Sequence, residues 1–170
     1  MDAIAVTDHG NLYGAIEFYK KAKAASVKPI IGIEAYIAPG SRFDRETGNG
    51  KRSYHHLILL VKNQTGWKNL LALATKASLE GFYYKPRMDK ELLRQHHEGL
   101  IALSSCFGGE LIQTILTGDL ARAETVVREH EEIFGRGNYF IEIGNHPNFD
   151  PKNFAIVWRE LISLSKKTGV

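Results

Sequence analysis

Short apolar runs alternate along this chain with longer stretches whose apolar residues recur every three or four positions. The short runs are typical of strands buried on both faces, and the longer stretches are typical of amphipathic helices. Such alternation favours an α/β fold with a mostly parallel sheet or barrel covered by helices, because parallel neighbours need a helical crossover between them. The predicted strands are residues 3–7, 29–37, 55–61, 99–104 and 139–143.

Helices are predicted between and after these strands, each with one apolar face turned toward the core. They cover residues 11–25, 64–81, 90–95, 110–117, 120–134 and 153–167. In the first helix the inward face is predicted to comprise Leu12, Ala15, Ile16, Tyr19 and Ala22.

The connection between the second and third strands differs from the others. Residues 38–53 have no helical pattern and are rich in Gly, Arg, Ser and Asp. Without a crossover helix, the two strands are predicted to form an antiparallel hairpin with a long, mobile loop. This hairpin brings residues 34–36 and 55–56 to the same end of the sheet.

Polar side chains collect where several predicted strands end, and functional groups in α/β folds gather at the carboxyl ends of the strands. The set comprises Asp8, His9, Glu34, His55, His56, Cys106 and Glu142. Imidazoles and carboxylates together are typical of sites for Zn, Mn or Fe. Two or three such metals can activate water and clamp a phosphate, which favours hydrolytic chemistry.

Each of these residues also has a structural alternative. Asp8 can cap the helix that follows it, and Cys106 can be a small buried apolar residue. His55 and His56 point to opposite faces of a strand, so at most one faces the site, and His56 is the preferred choice. Glu142 can be an ordinary edge residue. By contrast, Glu34 stands in an apolar strand, where a buried carboxylate without a partner is costly.

The segment "GFYYKPRMD", residues 81–89, combines aromatic rings with Lys85 and Arg87. Aromatic residues interleaved with bases are typical of surfaces that bind single-stranded nucleic acid. The alternative is a proline-bounded connector with ordinary surface bases. Lys51, Arg52 and the bases of residues 42–45 are weaker candidates of the same kind.

Composition narrows the class of protein only slightly. The net charge of +3 is too small to indicate a nucleic-acid partner by itself. A single cysteine excludes an internal disulfide and suits the reducing cytoplasm. The apolar runs are all shorter than the roughly 18 residues that a membrane span requires, so no membrane association is predicted.

The chain resembles the PHP (polymerase and histidinol phosphatase) domain of bacterial DNA polymerase III alpha subunits. Three long collinear blocks carry the resemblance: "AIAVTDHGNLYGAIEFYKKAKAASVKPIIGIEAYIAPGSR", "YHHLILLVKNQTGWKNLLALATKASLEGFYYKPRMD" and "EGLIALSSCFGGEL". Their combined length makes the resemblance specific. It implies a distorted (β/α)7 barrel with divalent metals at its rim.

The resemblance also implies roles for individual residues. His9, Glu34, His56 and Cys106 match metal-ligand positions of the family, with Asp8, His55 and Glu142 as weaker candidates. In some members such a site is a metal-dependent 3′–5′ exonuclease used in proofreading. In others the domain is a structural platform or docks a separate proofreading subunit. DNA and other replisome subunits are then the implied partners. A third alternative is a free-standing phosphoesterase that acts on a small phosphate ester.

Two family motifs are missing from the chain. The family has a strand with a His-x-His pair ahead of residue 1 and a strand with an Asp-x-His motif just after "SKKTGV". Residues 1–170 are therefore expected to form a single, partial PHP domain with about five strands of the barrel. From this comparison the chain by itself is expected to hold few or no metals and to have negligible nuclease activity.

Overall fold

The computed structural model describes residues 1–45, 54–144 and 150–170. The elements in these residues are, in order, β1 (Ala3–His9), α1 (Ala15–Ala24), β2 (Lys28–Ile37), β3 (His55–Val61), α2 (Gln64–Leu79), β4 (Arg87–Met88), α3 (Lys90–Gln95), β5 (Leu100–Leu103), α4 (Glu110–Leu116), α5 (Leu120–Phe134), β6 (Tyr139–Phe140) and α6 (Pro151–Thr168).

The strands form one sheet in the order β1-β2-β3-β5-β6, with β4 also paired to β2. Among the described residues, β3 is antiparallel to β2 and to β5, and the remaining pairs are parallel. The predicted α/β class is confirmed, as is the antiparallel hairpin. This arrangement agrees with an incomplete PHP-like barrel.

The register of β2 against β3 fixes the end of the sheet where polar residues collect. Tyr36 lies opposite His56, and Ile37 lies opposite His55. The hairpin therefore brings the second and third predicted strands together at the expected end. Residues 46–53 of the connecting loop lie outside the described residues.

Strand β1 ends where β4 begins to pair with the same edge of β2. The N–H of Gly10 donates to the carbonyl of Glu34 at 3.0 Å, and Gly10 has a φ of +68°, which turns the chain away from the sheet. Further along this edge, Arg87 and Met88 pair with β2. The sequence analysis did not identify β4, because two residues carry too little periodicity to be recognised.

The core lies between the centre of the sheet and helices α2–α6. Large side chains with at most 1% exposure fill it, among them Ile33, Leu59, Leu70, Leu93 and Val126. These residues come from strands with continuous apolar runs and from the inward faces of the helices. The centre of the sheet therefore follows the predicted pattern closely.

Helix α1 departs from the prediction, because only part of its apolar face is buried. Ala15 and Ala22 are buried, whereas Ile16 is 61% exposed and Tyr19 is 49% exposed. The helix packs beside the edge of the sheet through a narrow stripe of small side chains. The side chains of Ile16 and Tyr19 lie outside that stripe, and the described residues leave them exposed.

The fifth predicted strand is also shorter than expected. Only Tyr139 and Phe140 pair with β5, and the backbone N–H of Glu142 donates to the side-chain oxygen of Ser104 at 2.9 Å. A side chain has thus replaced the strand backbone as hydrogen-bond partner.

Across residues 1–45, 54–144 and 150–170, none of the helices combines the length and apolar character needed to cross a lipid bilayer.

Candidate metal centre

Three adjacent strands bring His9, Glu34 and His56 together. His9 lies opposite Glu34 in the β1–β2 register, and His56 lies on β3 two positions from the residue opposite Glu34. Side chains related in this way share one face of a sheet and are close enough to interact. One potential ligand atom from each residue lies within 4.8 Å of the others.

The carboxylate of Glu34 is the centre of this group. Its Oε2 lies 3.2 Å from Nε2 of His9, and its Oε1 is hydrogen-bonded to Nδ1 of His56. The two imidazole rings are 5.7 Å apart, centre to centre. Glu34 and His56 are largely buried, but the side chain of His9 is 60% exposed. Solvent therefore reaches the group from the side of His9, whereas Glu34 and His56 are largely enclosed by protein.

Cys106 approaches the same carboxylate from the loop after β5. Ser105 has a left-handed φ of 65°, which turns the chain sharply before the cysteine. As a result, Sγ of Cys106 lies 3.9 Å from Oε1 of Glu34. The sulfur therefore lies next to the carboxylate that His9 and His56 also contact, although Cys106 is not among the three residues whose ligand atoms lie within 4.8 Å of one another.

The protonation of the group follows from these contacts. The hydrogen bond from His56 lowers the pKa of Glu34 below its ordinary value. Hydrogen bonds with Cys106 and Glu34 raise the pKa of His56 to about 9. The same bond to His56 lowers the pKa of the Cys106 thiol. At neutral pH, a proton on the imidazole of His56 therefore balances the negative charge of Glu34.

The donor set fits a divalent transition metal. Imidazole nitrogen, carboxylate oxygen and thiolate sulfur are the ligands that Zn²⁺ takes in proteins, and imidazole with carboxylate also suits Mn and Fe. His9, Glu34 and His56 would hold the ion, with Cys106 as a further donor.

Two glycines make room for the rings of the centre. A Cβ on Gly10 would lie 2.7 Å from Cε2 of Tyr36, and one on Gly108 would lie 2.9 Å from Cγ of His56. Both distances are shorter than carbon atoms tolerate. The glycines that follow His9 and Cys106 in the sequence are therefore part of the site, and the sequence analysis missed the role of Gly108.

Two tyrosines that the sequence analysis also missed surround His56. The ring of Tyr36 meets it edge-on with centres 5.3 Å apart, and the ring of Tyr54 stacks on it with centres 5.8 Å apart. Tyr54 directly precedes the His-His pair, and Tyr36 lies opposite His56 across the hairpin. The available signal was therefore the aromatic residues flanking the candidate ligands.

The structure separates Asp8 and His55 from this group. Oδ2 of Asp8 accepts a hydrogen bond from the N–H of Gly14 at 3.0 Å, at the start of α1. His55 points to the opposite face of β3, where it lines a small cavity with Glu110 and His130. Asp8 therefore bonds to the residue that precedes α1 without capping the helix itself, and a single histidine of the pair faces the centre.

Glu142 lies near Cys106 but outside the group around Glu34. Its side chain lines a small cavity together with Cys106 and Trp158, behind the loop that follows β5. Glu142 is therefore a neighbour of Cys106 and is not one of the three residues whose ligand atoms lie within 4.8 Å of one another.

Arg87 lies inside the protein rather than on a surface that a nucleic acid can reach. It is 3% exposed, and its guanidinium donates to the carbonyls of Gly81 at 3.2 Å and Arg42 at 3.3 Å. This corrects the expectation that Arg87 contacts phosphate. Lys85, by contrast, places Nζ 5.5 Å from the centre of the Tyr36 ring, beside the metal centre.

Arg42, one of the weaker basic candidates, is also buried. Arg42 is 7% exposed and pairs with Asp89 at 3.1 Å and with Glu80 at 2.8 Å. Its charge is therefore used to anchor the loop after β2. Lys51 and Arg52 lie outside the described residues.

Comparison with known proteins agrees with this geometry. The family model described as PHP domain matches residues 1–146, which is most of the chain. The chain is 59% identical over 169 residues to the DNA polymerase III subunit alpha of Thermus aquaticus, and 48% identical over 169 residues to that of Treponema pallidum. Each alignment covers 99% of the chain but 14% of the relative, so the chain spans a small part of their length. The chain belongs to the PHP domain family.

Proposed function

We propose that this domain is the metal-binding PHP region of a replicative DNA polymerase and hydrolyses phosphodiester bonds at the 3′ end of DNA. The observation that carries the proposal is the convergence of His9, Glu34 and His56, with potential ligand atoms within 4.8 Å of one another. The relatives named DNA polymerase III subunit alpha support the polymerase context.

Each residue has a distinct part in the proposed chemistry. A bound divalent metal supplies the Lewis acidity that phosphodiester hydrolysis uses. Glu34 holds both imidazoles in place through its two oxygens, and Cys106 adds a sulfur donor. Lys85 contributes positive charge beside the centre, where it can attract a phosphate.

The metal and the partners are part of the same proposal. Zn, Mn and Fe all suit the donor set, and the complete domain is proposed to bind two or three ions. Residues 1–170 would form a partial domain of this kind. The polymerase context implies that the partners are DNA and other replisome subunits. It also implies that the protein lies in the cytoplasm of a bacterium.

Metal content tests the first part of the proposal. The whole gene product that carries this sequence is incubated with Zn²⁺ or Mn²⁺, desalted and analysed for bound metal. The His9→Ala variant is compared with the control variant His97→Ala, because His97 lies between α3 and β5, outside the centre. Bound metal in the unaltered protein and in His97→Ala, with loss in His9→Ala, is the expected result. Absence of bound metal, or equal metal content in all three proteins, would refute the proposal.

Nuclease activity tests the second part. The whole gene product that carries this sequence is given a 5′-labelled single-stranded oligonucleotide and the metal identified above. Shortening from the 3′ end is expected, with at least a 100-fold loss in His9→Ala. A His9→Ala protein that shortens the strand at the normal rate would exclude the metal centre from the reaction.

A structural or docking role is the second candidate. The exposed apolar side chains of Ile16 and Tyr19, beside the edge strand β1, favour it because such surfaces often contact another protein segment. In that case His9→Ala would leave the whole gene product unchanged in every assay. A free-standing phosphoesterase is less well supported, since the relatives are much longer than the chain.

A further inference from the structure

An open groove of about 680 Å³ begins at the metal centre, where His9 forms part of its wall. Its size lies within the range of about 300–1,000 Å³ that is usual for ligand sites. Four aromatic residues are among those that line it: Tyr13, Tyr36, Phe82 and Tyr84. Three of these residues are strongly exposed: Tyr13 at 91%, Tyr84 at 78% and Phe82 at 57%.

The charge of the groove favours an anionic occupant. Lys85 lies along it, and no aspartate or glutamate is among the described residues that line it. The positive charge of Lys85 attracts a phosphate backbone, and no carboxylate among the described lining residues opposes it. Aliphatic side chains, among them the exposed Leu71 and Leu79, also line the groove, but the aromatic rings, the lysine and the adjacent metal centre favour a nucleic acid.

The backbone at Tyr84 holds its ring out toward the groove. Tyr84 has a left-handed φ of 57°, and the N–H of Tyr83 donates to the carbonyl of Lys85 at 3.0 Å, which closes a tight turn around it. Glycine or asparagine is the usual residue in such a conformation. The ring of Tyr83 also packs edge-on against that of Tyr84, with centres 4.7 Å apart.

We infer that this groove binds the unpaired bases at the end of a single strand of nucleic acid. Tyr84, Phe82 and Tyr13 provide surfaces on which successive bases stack, and Lys85 pairs with the backbone. The end of the strand then lies beside His9. This inference rests on the proposed function, since it supplies the substrate class for the same metal centre. Because stacking tolerates every base, single strands are preferred over duplexes with little dependence on sequence.

Binding without metal tests the inference separately from catalysis. Fluorescence anisotropy measures the affinity of the 170-residue chain, in EDTA, for a labelled oligothymidylate and for an abasic strand of the same length. The two probes carry the same phosphates and differ only in their bases. We expect the oligothymidylate to bind at least tenfold more tightly than the abasic strand, and a duplex to bind as weakly as the abasic strand.

Substitutions then identify the stacking residues. Tyr84→Ala and Phe82→Ala should each weaken oligothymidylate binding about tenfold, in line with stacking on one ring, and leave the abasic strand unaffected. Tyr19→Ala is the matched control, because Tyr19 is an exposed tyrosine outside the groove. Tyr84→Gly should act like Tyr84→Ala while suiting the left-handed backbone, which guards against a folding artefact.

Several results would overturn the inference. Equal affinity for the oligothymidylate and the abasic strand would reduce the interaction to charge attraction. An effect of Tyr84→Ala no larger than that of Tyr19→Ala would exclude the groove, and failure of any strand to bind would leave it as a contact for another protein segment.

The proposed function can fail independently. Glu34→Gln should lose bound metal but keep base-dependent binding in EDTA, because Glu34 does not line the groove. Strand binding together with no metal in the whole gene product would refute the hydrolytic proposal and retain the strand site. Metal binding and hydrolysis without base-dependent affinity would do the reverse.

Discussion

His55 and His56 are neighbours in the sequence, but they lie on opposite faces of β3 in very different surroundings. His56 contacts Glu34 and Cys106 beside an open groove. His55 lies with Glu110 and His130 at a small cavity beneath α4 and α5, whose edge His56 also reaches. The two faces contain similar residue types and differ in how their charges are balanced.

On the face of His55, fixed positive charges balance the carboxylates. Glu110 lies 2.8 Å from Nζ of Lys90 and 3.0 Å from the guanidinium of Arg122. Glu129 lies 2.6 Å from Lys90 and 2.8 Å from Arg122. These four residues join α3, α4 and α5. Nearby, burial lowers the pKa of His130, which keeps that imidazole neutral.

On the face of His56, the contacts of Glu34 come from imidazoles and a thiol. A protonated imidazole can release its proton to solvent and bind a metal through the freed nitrogen, whereas lysine and arginine remain charged at neutral pH. The choice of counter-charge therefore separates a structural cluster from a candidate metal centre.

The largest effect is expected from the two histidines themselves. His56→Ala should weaken Zn²⁺ binding at least about 100-fold, because it removes a donor from the centre. His55→Ala, on the opposite face, should change the affinity no more than about threefold. Isothermal titration of both variants measures the difference. Equal losses would show that the two faces are not separate.

Glu110 tests the structural face. Glu110→Gln should lower the free energy of unfolding by about 2 kcal/mol, because Lys90 and Arg122 each lose a partner in partly buried surroundings. Urea denaturation measures this loss. The control is Glu17→Gln, which breaks a solvent-exposed pair with Lys21 and should leave the free energy of unfolding almost unchanged. A Glu110→Gln protein as stable as the control would remove the distinction.

Glu129 gives the structural face a dependence on pH. Burial raises the pKa of its carboxyl, but hydrogen bonds from Arg122 and Lys90 outweigh this and lower it to about 2. Its contribution is therefore present above the unfolded value near 4.5 and is lost as the pH falls toward 2.

The stability difference between the unaltered chain and Glu129→Gln measures this contribution. It should be about 1–2 kcal/mol at pH 6 and should shrink as the pH is lowered from 4.5 toward 2. Thermal or urea unfolding at a series of pH values would reveal it. A difference that does not change with pH would show that the ion pairs do not hold the carboxyl ionised.

The smallest effect is expected at Asp8, the neighbour of His9. Asp8→Ala should cost about 1 kcal/mol of stability, since it removes the hydrogen bond to Gly14 at the start of α1. Metal affinity should stay within about threefold of the unaltered chain. A large loss of metal in Asp8→Ala, measured by the same titration, would move this residue into the centre.

Much of the sheet could be predicted because buried strands have continuous apolar sequences. The absence of a helical pattern between residues 37 and 55 correctly predicted the hairpin. Tyr19 and Arg87 show where such patterns fail. A helix at the edge of a sheet buries only part of its apolar face, and a buried arginine has the same sequence signature as one at the surface.

The alternation of side chains along a strand by itself determined that His55 and His56 face opposite sides, because successive residues of a strand always do. Tertiary structure alone decided what each side offers. Glu34 and Cys106 are distant from His56 in sequence, and Glu110 is distant from His55. Only the folding of β2, β3 and α4 against one another set the distances on which metal binding and charge pairing depend.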